Sequence, residues 1–344
     1  MNLSDFDYFL PKELIAQKPI SRRDESRLMA VSKSKIEHKK FKNVIDYFSK
    51  GDVLVVNDTK VFPAKLVGKK ETGGIVKILL VRQVDDFTWE CMTQGRNLDN
   101  KKIHFESLKN SDNSKINFYG TLTKNPNNKN NLQYIVFPKK INALLDKIGK
   151  APLPPYIKSD ASIERYNTIY SKNEGSIAAP TAGLHFTKDI INKLKKKGAV
   201  IASITLHVGL GTFLPVKTDS ISNHKMHPEH FSISKETADK INSRKGSLFV
   251  VGTTSIRALE SAVENGKAAP RTGETSLFIY PGYKWKLDYK GLITNFHLPK
   301  STLLMLACAF IGKERIFEAY HEAIKHKYRF YSFGDGMILL RNTF

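Results

Sequence analysis

The apolar residues of this chain fall into short unbroken runs. The clearest is Val53-Leu-Val-Val56, entered through Lys50-Gly51-Asp52 and left at Asn57-Asp58. A run bounded by turn residues and lacking polar alternation predicts a strand buried on both faces. Leu28–Val31, Val200–Val208, Ser247–Val251, Ser276–Tyr280, Leu292–Phe296 and Met337–Leu340 read as further strands. Helical spacing predicts helices over Asn43–Ser49, Lys235–Arg244, Ser255–Glu264, Ser301–Ile311 and Arg315–Lys325. Another helix starts at Thr187, a capping residue, carries Ile190, Ile191 and Leu194 on one face, and stops at Gly198.

Between Pro63 and Pro138 the texture changes. Six short β-rich runs, Ala64–Gly68, Ile75–Arg82, Thr88–Thr93, Ile103–Glu106, Ile116–Thr123 and Gln133–Phe137, alternate with Gly- and Asn-rich turns. Near-regular spacing without an intervening helical pattern predicts a small antiparallel barrel. A helical Ile141–Ile148 and the stiff Ala151-Pro-Leu-Pro-Pro155 return the chain to βα alternation. The expected fold class is mixed α/β. An α/β domain is built from both chain ends (1–62 and 151–344), with a β-barrel domain inserted at 63–150.

Composition narrows the class. At 41% hydrophobic and 10% aromatic residues the chain can fill a core, which excludes wholesale disorder. Two cysteines exclude a disulfide scaffold and any multi-cysteine metal cluster. An acidic start where a signal peptide would be basic, and a longest apolar stretch of only Leu303–Ile311, lead us to expect a cytoplasmic protein with no membrane partner. The net charge is +22, of which +8 falls in 63–153 and +14 elsewhere. It points either to a polyanionic partner, RNA or DNA, or to a genome rich in lysine codons.

Three predicted strands run into polar or Gly-rich loops: Thr205–Lys217, Val251–Arg257 and Thr294–Thr302. In open α/β sheets ligands bind at the carboxyl ends of strands. His207, Thr253, Thr254, Arg257, Asn295, His297 and Lys300 are therefore expected to converge. Gly209-x-Gly211 lacks the third glycine of a dinucleotide fingerprint, and Phe213-Leu-Pro215 stands where its helix would begin. Thr253-Thr254 opening a helix, with Arg257 one turn inside, reads as an anion site or as ordinary capping. His224, His227, Glu229 and His230 cluster within seven residues. They read as a metal-binding group, although Pro228 prevents a helical ligand array, or as a polar active-site or RNA-facing loop. His185 reads equally as structural or catalytic, and Asn57-Asp58 as a turn or a binding edge.

These loops together resemble one family. Asn57–Ala64, Ala151–Ile157, Ala178–Phe186, Leu206–Phe213, Gly252–Glu260, Thr294–Thr302 and Tyr328–Asp335 are similar, in order and spacing, to the S-adenosylmethionine:tRNA ribosyltransferase-isomerases of queuosine biosynthesis. The chain departs from the family pattern at Lys65, Lys77 and Gly336 and in the less basic loop Gly95–Asn100. The resemblance implies ribosyl transfer from S-adenosylmethionine to 7-aminomethyl-7-deazaguanine at the tRNA wobble position. Rearrangement then gives epoxyqueuosine, with adenine and methionine released. S-adenosylmethionine is on this reading a consumed substrate, with no other cofactor and no metal, and the enzyme is expected to be a monomer. The alternative is a tRNA-binding protein without catalysis.

On this reading His207 or His297 is the acid/base, with His185 a third candidate, because imidazole titrates near the working pH. Arg257, Thr253 and Thr254 would hold the methionine carboxylate. Thr205, Gly209, Gly211 and Asn295 would line the substrate site, and Lys217 and Lys300 would face ribose or tRNA. His224, His227 and Glu229 would face RNA, and Asn57, Asp58 and Asp335 would support the site.

Overall fold

The computed structural model describes residues 1–109, 115–125, 132–154, 156–158, 161–209, 211, 216 and 218–341. Its centre is a nine-stranded sheet. From one edge to the other the strands are Arg271–Thr275, Glu229–Ile233, Val200–Leu206, Val53–Asn57, Leu248–Val251, Gly291–Asn295, Gly336–Leu340, Arg27–Val31 and Ile36–Lys40. The middle four are mutually parallel, and the flanks mix directions.

Alternate residues of the central strands feed two separate cores, because successive side chains point to opposite faces of a sheet. Val53, Val55, Leu248, Val250 and Leu292 pack on one face with Ile256, Leu259, Leu304 and Ile316. Leu54, Val56, Phe249, Val251 and Ile293 pack on the other with Phe41, Phe186, Ile190 and Leu194. Burial on both faces is why these strands carry no polar alternation. Three covering helices are capped by hydroxyls, Thr187, Ser234 and Ser301, each accepting the backbone N–H three residues on. Each cap contributes about 1 kcal/mol.

The six runs between 64 and 137 form a closed antiparallel barrel. Around it lie Gln133–Val136, Thr88–Gln94, Ile75–Gln83, Lys65–Lys70, Lys102–Lys109 and Lys115–Lys124. Closure leaves no unpaired strand edge. Its own core includes Leu66, Val76, Ile78, Trp89, Cys91, Phe118 and Ile135. The fold is thus mixed α/β, with a sheet assembled from both chain ends and an antiparallel barrel set between them.

Several expected elements differ. Residues 276–280 form no strand, and the edge strand is Arg271–Thr275, paired with Glu229–Ile233. The segment 224–230, read as a metal-binding group or a loop, thus runs into a strand that begins at Glu229. Glu229, Phe231 and Ile233 point inward, and His230 and Ser232 outward. The helix expected at Asn43–Ser49 is a 3-10 turn over Phe41–Tyr47. The helix expected at Ser255–Glu264 is Thr253–Ser261, followed by a short hairpin.

Candidate active site

The carboxyl ends of Val53–Asn57, Val200–Leu206, Leu248–Val251 and Gly291–Asn295 share one edge of the sheet. The antiparallel neighbours start there, which brings Phe231 beside Leu206 and Gly336 beside Asn295. The residues expected to converge share this edge but fall into three separate groups, of which only Asn295, His297 and Lys300 line one cavity.

The first group surrounds His207. Asn57 is buried and bridges two strands: its Nδ2 donates to Leu206 O at 2.9 Å, and its Oδ1 accepts from Leu206 N at 3.0 Å. It thereby copies a peptide pairing where the ladder ends. Asp58 Oδ1 accepts from Thr205 Oγ1 at 2.7 Å and from Asn173 Nδ2 at 3.1 Å. His207 Nδ1 meets Thr59 Oγ1 at 2.8 Å, and its ring lies face to face with that of His230, centroids 5.8 Å apart. Burial, then His230, lowers the His207 pKa, and Asp58 opposes that shift. Gly175 lies against this ring at φ +147°, where a Cβ would come within 2.8 Å of it.

The second group corrects two expectations. Arg257 and Glu229 form a buried ion pair through Nη1 and Oε2. Glu229 Oε1 also accepts from Gly209 N at 3.0 Å, and Arg257 Nε donates to Leu277 O at 2.8 Å. Glu229 does not face outward toward RNA, because the strand it begins turns it into the sheet. Arg257 is occupied by this carboxylate, and Nη2 alone of its guanidinium nitrogens is buried without a hydrogen-bond partner. Thr253 and Thr254 are buried at the helix start, with Asn57 Nδ2 at 3.4 Å from Thr254 Oγ1. His224 packs edge-on against Phe278, and burial followed by His227 lowers its pKa. The cluster 224–230 forms no set of convergent ligands. Among the described residues one such set exists elsewhere, His38, Glu322 and His326 at the far edge strand.

The third group lines a cavity of about 390 Å³. Asn295, His297, Lys300, Thr181 and Gly211 border it, with Tyr156, Tyr166 and Tyr331 as its aromatic walls. His297 is the only imidazole among the described residues that lines it. Its Nε2 lies 2.8 Å from Thr294 Oγ1, and its backbone N–H donates to Tyr320 Oη at 2.8 Å. Burial pushes its pKa down to about 3, so the ring is neutral at pH 7. Lys300 pairs with Asp7 at 2.7 Å on the rim, half exposed.

His185 stands behind this cavity, away from its lining. Its Nε2 accepts from Asn295 Nδ2 at 3.1 Å, and its Nδ1 lies 2.8 Å from Ser26 Oγ, which itself donates to Arg23 O. These partners assign the proton to Nδ1. Phe41 stacks on the ring at 4.7 Å, and burial lowers its pKa to about 3. His185 orients the Asn295 amide, whose Oδ1 accepts from Thr181 at 3.1 Å. Asp335 is also buried. It accepts from the backbone N–H of Arg27 and of Arg329, both at 2.9 Å, and so ties two loops together. Lys217 lies outside the described residues.

Sequence reasoning missed the three tyrosines. Tyr156 and Tyr331 lie within motifs that drew attention, Ala151–Ile157 and Tyr328–Asp335, but single aromatic residues there carry no spacing signal. Asn173 and Gly175 were missed because the short strand Asn173–Ser176, paired with Thr59–Val61, has no apolar pattern.

An α/β sheet with an inserted antiparallel barrel, and a cavity among its strand ends, defines an enzyme architecture. Residues 3–339 match the model of a family described as queuosine biosynthesis protein. The S-adenosylmethionine:tRNA ribosyltransferase-isomerase of Thermosipho melanesiensis is 48% identical over 346 residues, covering 98% of this chain and all of the relative. That of Clostridium kluyveri is 49% identical over 351 residues, with the same coverage. The crystal structure of an S-adenosylmethionine tRNA ribosyltransferase from Thermotoga maritima aligns over 98% of this chain and all of that one, at 34% identity and a TM-score of 0.55. The chain belongs to the queuosine biosynthesis protein family.

Proposed function

We propose that this protein transfers and isomerises the ribosyl group of S-adenosylmethionine onto 7-aminomethyl-7-deazaguanine at the wobble position of tRNA. The products are epoxyqueuosine-tRNA, adenine and methionine. One observation carries the siting of this chemistry: a neutral imidazole, His297, lines the cavity at the strand ends.

The sulfonium acidifies the protons on the ribose carbon bonded to it, so the reaction needs a base there and a proton for the departing adenine. His297 serves as both in this reading. Being neutral at pH 7 it can accept a proton, but burial takes its pKa well below the working pH expected of an imidazole, which works against abstraction and favours handing the proton on to adenine. Asn295, oriented by His185, and Thr181 hydrogen-bond the ribose hydroxyls. His207, held by Thr59 and backed by Asp58, supports the neighbouring strand end. Arg257 acts through Glu229 and Gly209 on the shape of the loop and does not hold the methionine carboxylate. The sulfonium makes methionine a leaving group without a metal, so a chelator should leave the rate unchanged.

We assign the inserted barrel, residues 63–150, as a domain that adds tRNA contacts to a catalytic domain of residues 1–62 and 151–344. The enzyme acts as a cytoplasmic monomer in this account. The test is incubation with S-adenosylmethionine and tRNA bearing the aminomethyl base, followed by mass spectrometry of nucleosides and small products. The expected result is a wobble nucleoside heavier by the epoxycyclopentyl group, together with free adenine. Intact S-adenosylmethionine beside bound tRNA would instead identify a binding protein. His297→Gln should slow adenine release by about 100-fold or more; retention of the full rate would remove His297 from its role.

A further inference from the structure

Tyr331 adopts a left-handed backbone conformation, φ +71°. A bulky aromatic residue rarely takes this region, whereas glycine occupies it freely. Strain of this kind persists only where the surroundings enforce it. Tyr331 N donates to Phe296 O at 3.2 Å, and its carbonyl accepts from Gly334 N at 2.8 Å and Asn295 Nδ2 at 3.3 Å. The side chain gives no hydrogen-bonding reason for the strain, because its hydroxyl is buried without a partner. What the position retains is therefore the ring.

That ring packs beside Tyr156, centroids 4.7 Å apart with 34° between planes, and Tyr156 is anchored by a 2.6 Å hydrogen bond to Ser332 Oγ. Tyr331 also borders two spaces at once. One is the 390 Å³ cavity holding His297. The other is an open groove of about 690 Å³ beside Tyr8, Leu10, Ile15 and the exposed Phe9. The two spaces share Leu298, Pro299 and Tyr331.

We propose that the Tyr156–Tyr331 pair is a stacking plate for a flat heteroaromatic base at the reaction cavity. The base is the adenine of S-adenosylmethionine if it stacks from the cavity side, or the deazaguanine of tRNA if it enters from the groove side. This assignment rests on the function proposed above. A two-substrate reaction needs two bases near one ribose, and a ring on the shared wall of two adjoining spaces is placed to hold either against it.

The test compares Tyr331→Phe, Tyr331→Gly and Tyr156→Leu in the full chain. S-adenosylmethionine and tRNA binding are measured separately, with thermal melting alongside. Tyr331→Phe should stay within about threefold of wild type for both ligands, and Tyr331→Gly should lose about tenfold or more for at least one. Glycine relieves the backbone but deletes a buried ring, so each variant's binding is compared at a temperature where its melting curve shows it folded. Tyr156→Leu should weaken the same ligand without any backbone change at 331. A loss confined to S-adenosylmethionine assigns adenine, and one confined to tRNA assigns the deazaguanine. Unchanged affinities in both Tyr331→Gly and Tyr156→Leu would overturn the plate. So would a Tyr331→Phe loss as large as that of glycine. A wild-type protein that binds both ligands yet yields no modified nucleoside would fail the function instead and leave the stacking result standing.

Discussion

His185 and His297 are both buried, the first held through both ring nitrogens and the second through Nε2, and neither has an acidic partner. Burial holds each pKa down to about 3, with Arg23 and Arg329 adding to the effect at His185. In the unfolded chain the same rings protonate below about pH 6.5. The stability tied to their neutral forms is therefore complete above that pH and is lost progressively as the pH falls from 6.5 toward 3. Denaturant unfolding should show stability falling between pH 7 and pH 5, and the double substitution His185→Gln with His297→Gln should flatten that slope. An unchanged slope would mean that these rings do not remain neutral in the fold. His185 shows why residue type alone left its role open. Nothing in the sequence distinguishes an imidazole that faces a substrate from one that orients the amide facing it.

At the scale of elements, the strand Glu229–Ile233 decides what Arg257 can do. Read as a loop, Glu229 faced solvent and Arg257 was free for an anion. As the first residue of an inward-pointing alternation, Glu229 reaches Arg257 in the interior. Removing one partner of a buried pair leaves an uncompensated charge, so Glu229→Gln should destabilise the fold by about 3–5 kcal/mol in denaturant melts. Combining it with Arg257→Met should recover much of that loss. The run Glu229-His-Phe-Ser-Ile233 does alternate, but His230, with His224 and His227 before it, invites a metal reading and masks the period of two. Similarly, Gly175 matters only because the strand Asn173–Ser176 lays its backbone on His207. Gly175→Ala would add a Cβ against the imidazole at a φ that disfavours side chains. A cost of about 1–3 kcal/mol follows, along with a shift of the His207 ring resonances in NMR spectra.

For the whole molecule, the charge of +22 is spread through barrel and sheet alike. At their junction Lys65, Lys150 and Lys158 line a cavity of about 560 Å³. Binding that neutralises phosphates weakens linearly in log–log salt plots, with a slope of about −0.7 to −0.9 per phosphate contacted. Replacing these three lysines with alanine should flatten the tRNA salt slope by up to about three such contacts. S-adenosylmethionine affinity should stay unaltered, and filter binding across a salt series checks both. An unchanged slope would place the RNA elsewhere on the surface.

The sequence by itself determined the elements that depend on local pattern. Unbroken apolar runs specified strands buried on both faces, hydroxyl caps specified helix starts, and evenly spaced short runs specified the barrel. It also singled out the loops that follow the central strands, since those motifs are long and contiguous. Only the tertiary structure decided which side of each loop faces the cavity. Glu229 and Arg257 neutralise each other, His185 stands behind Asn295, and Tyr156 and Tyr331 meet across 175 positions of chain. These outcomes depend on register and packing between distant strands. Such pairings are set by the whole sheet, and no local spacing encodes them.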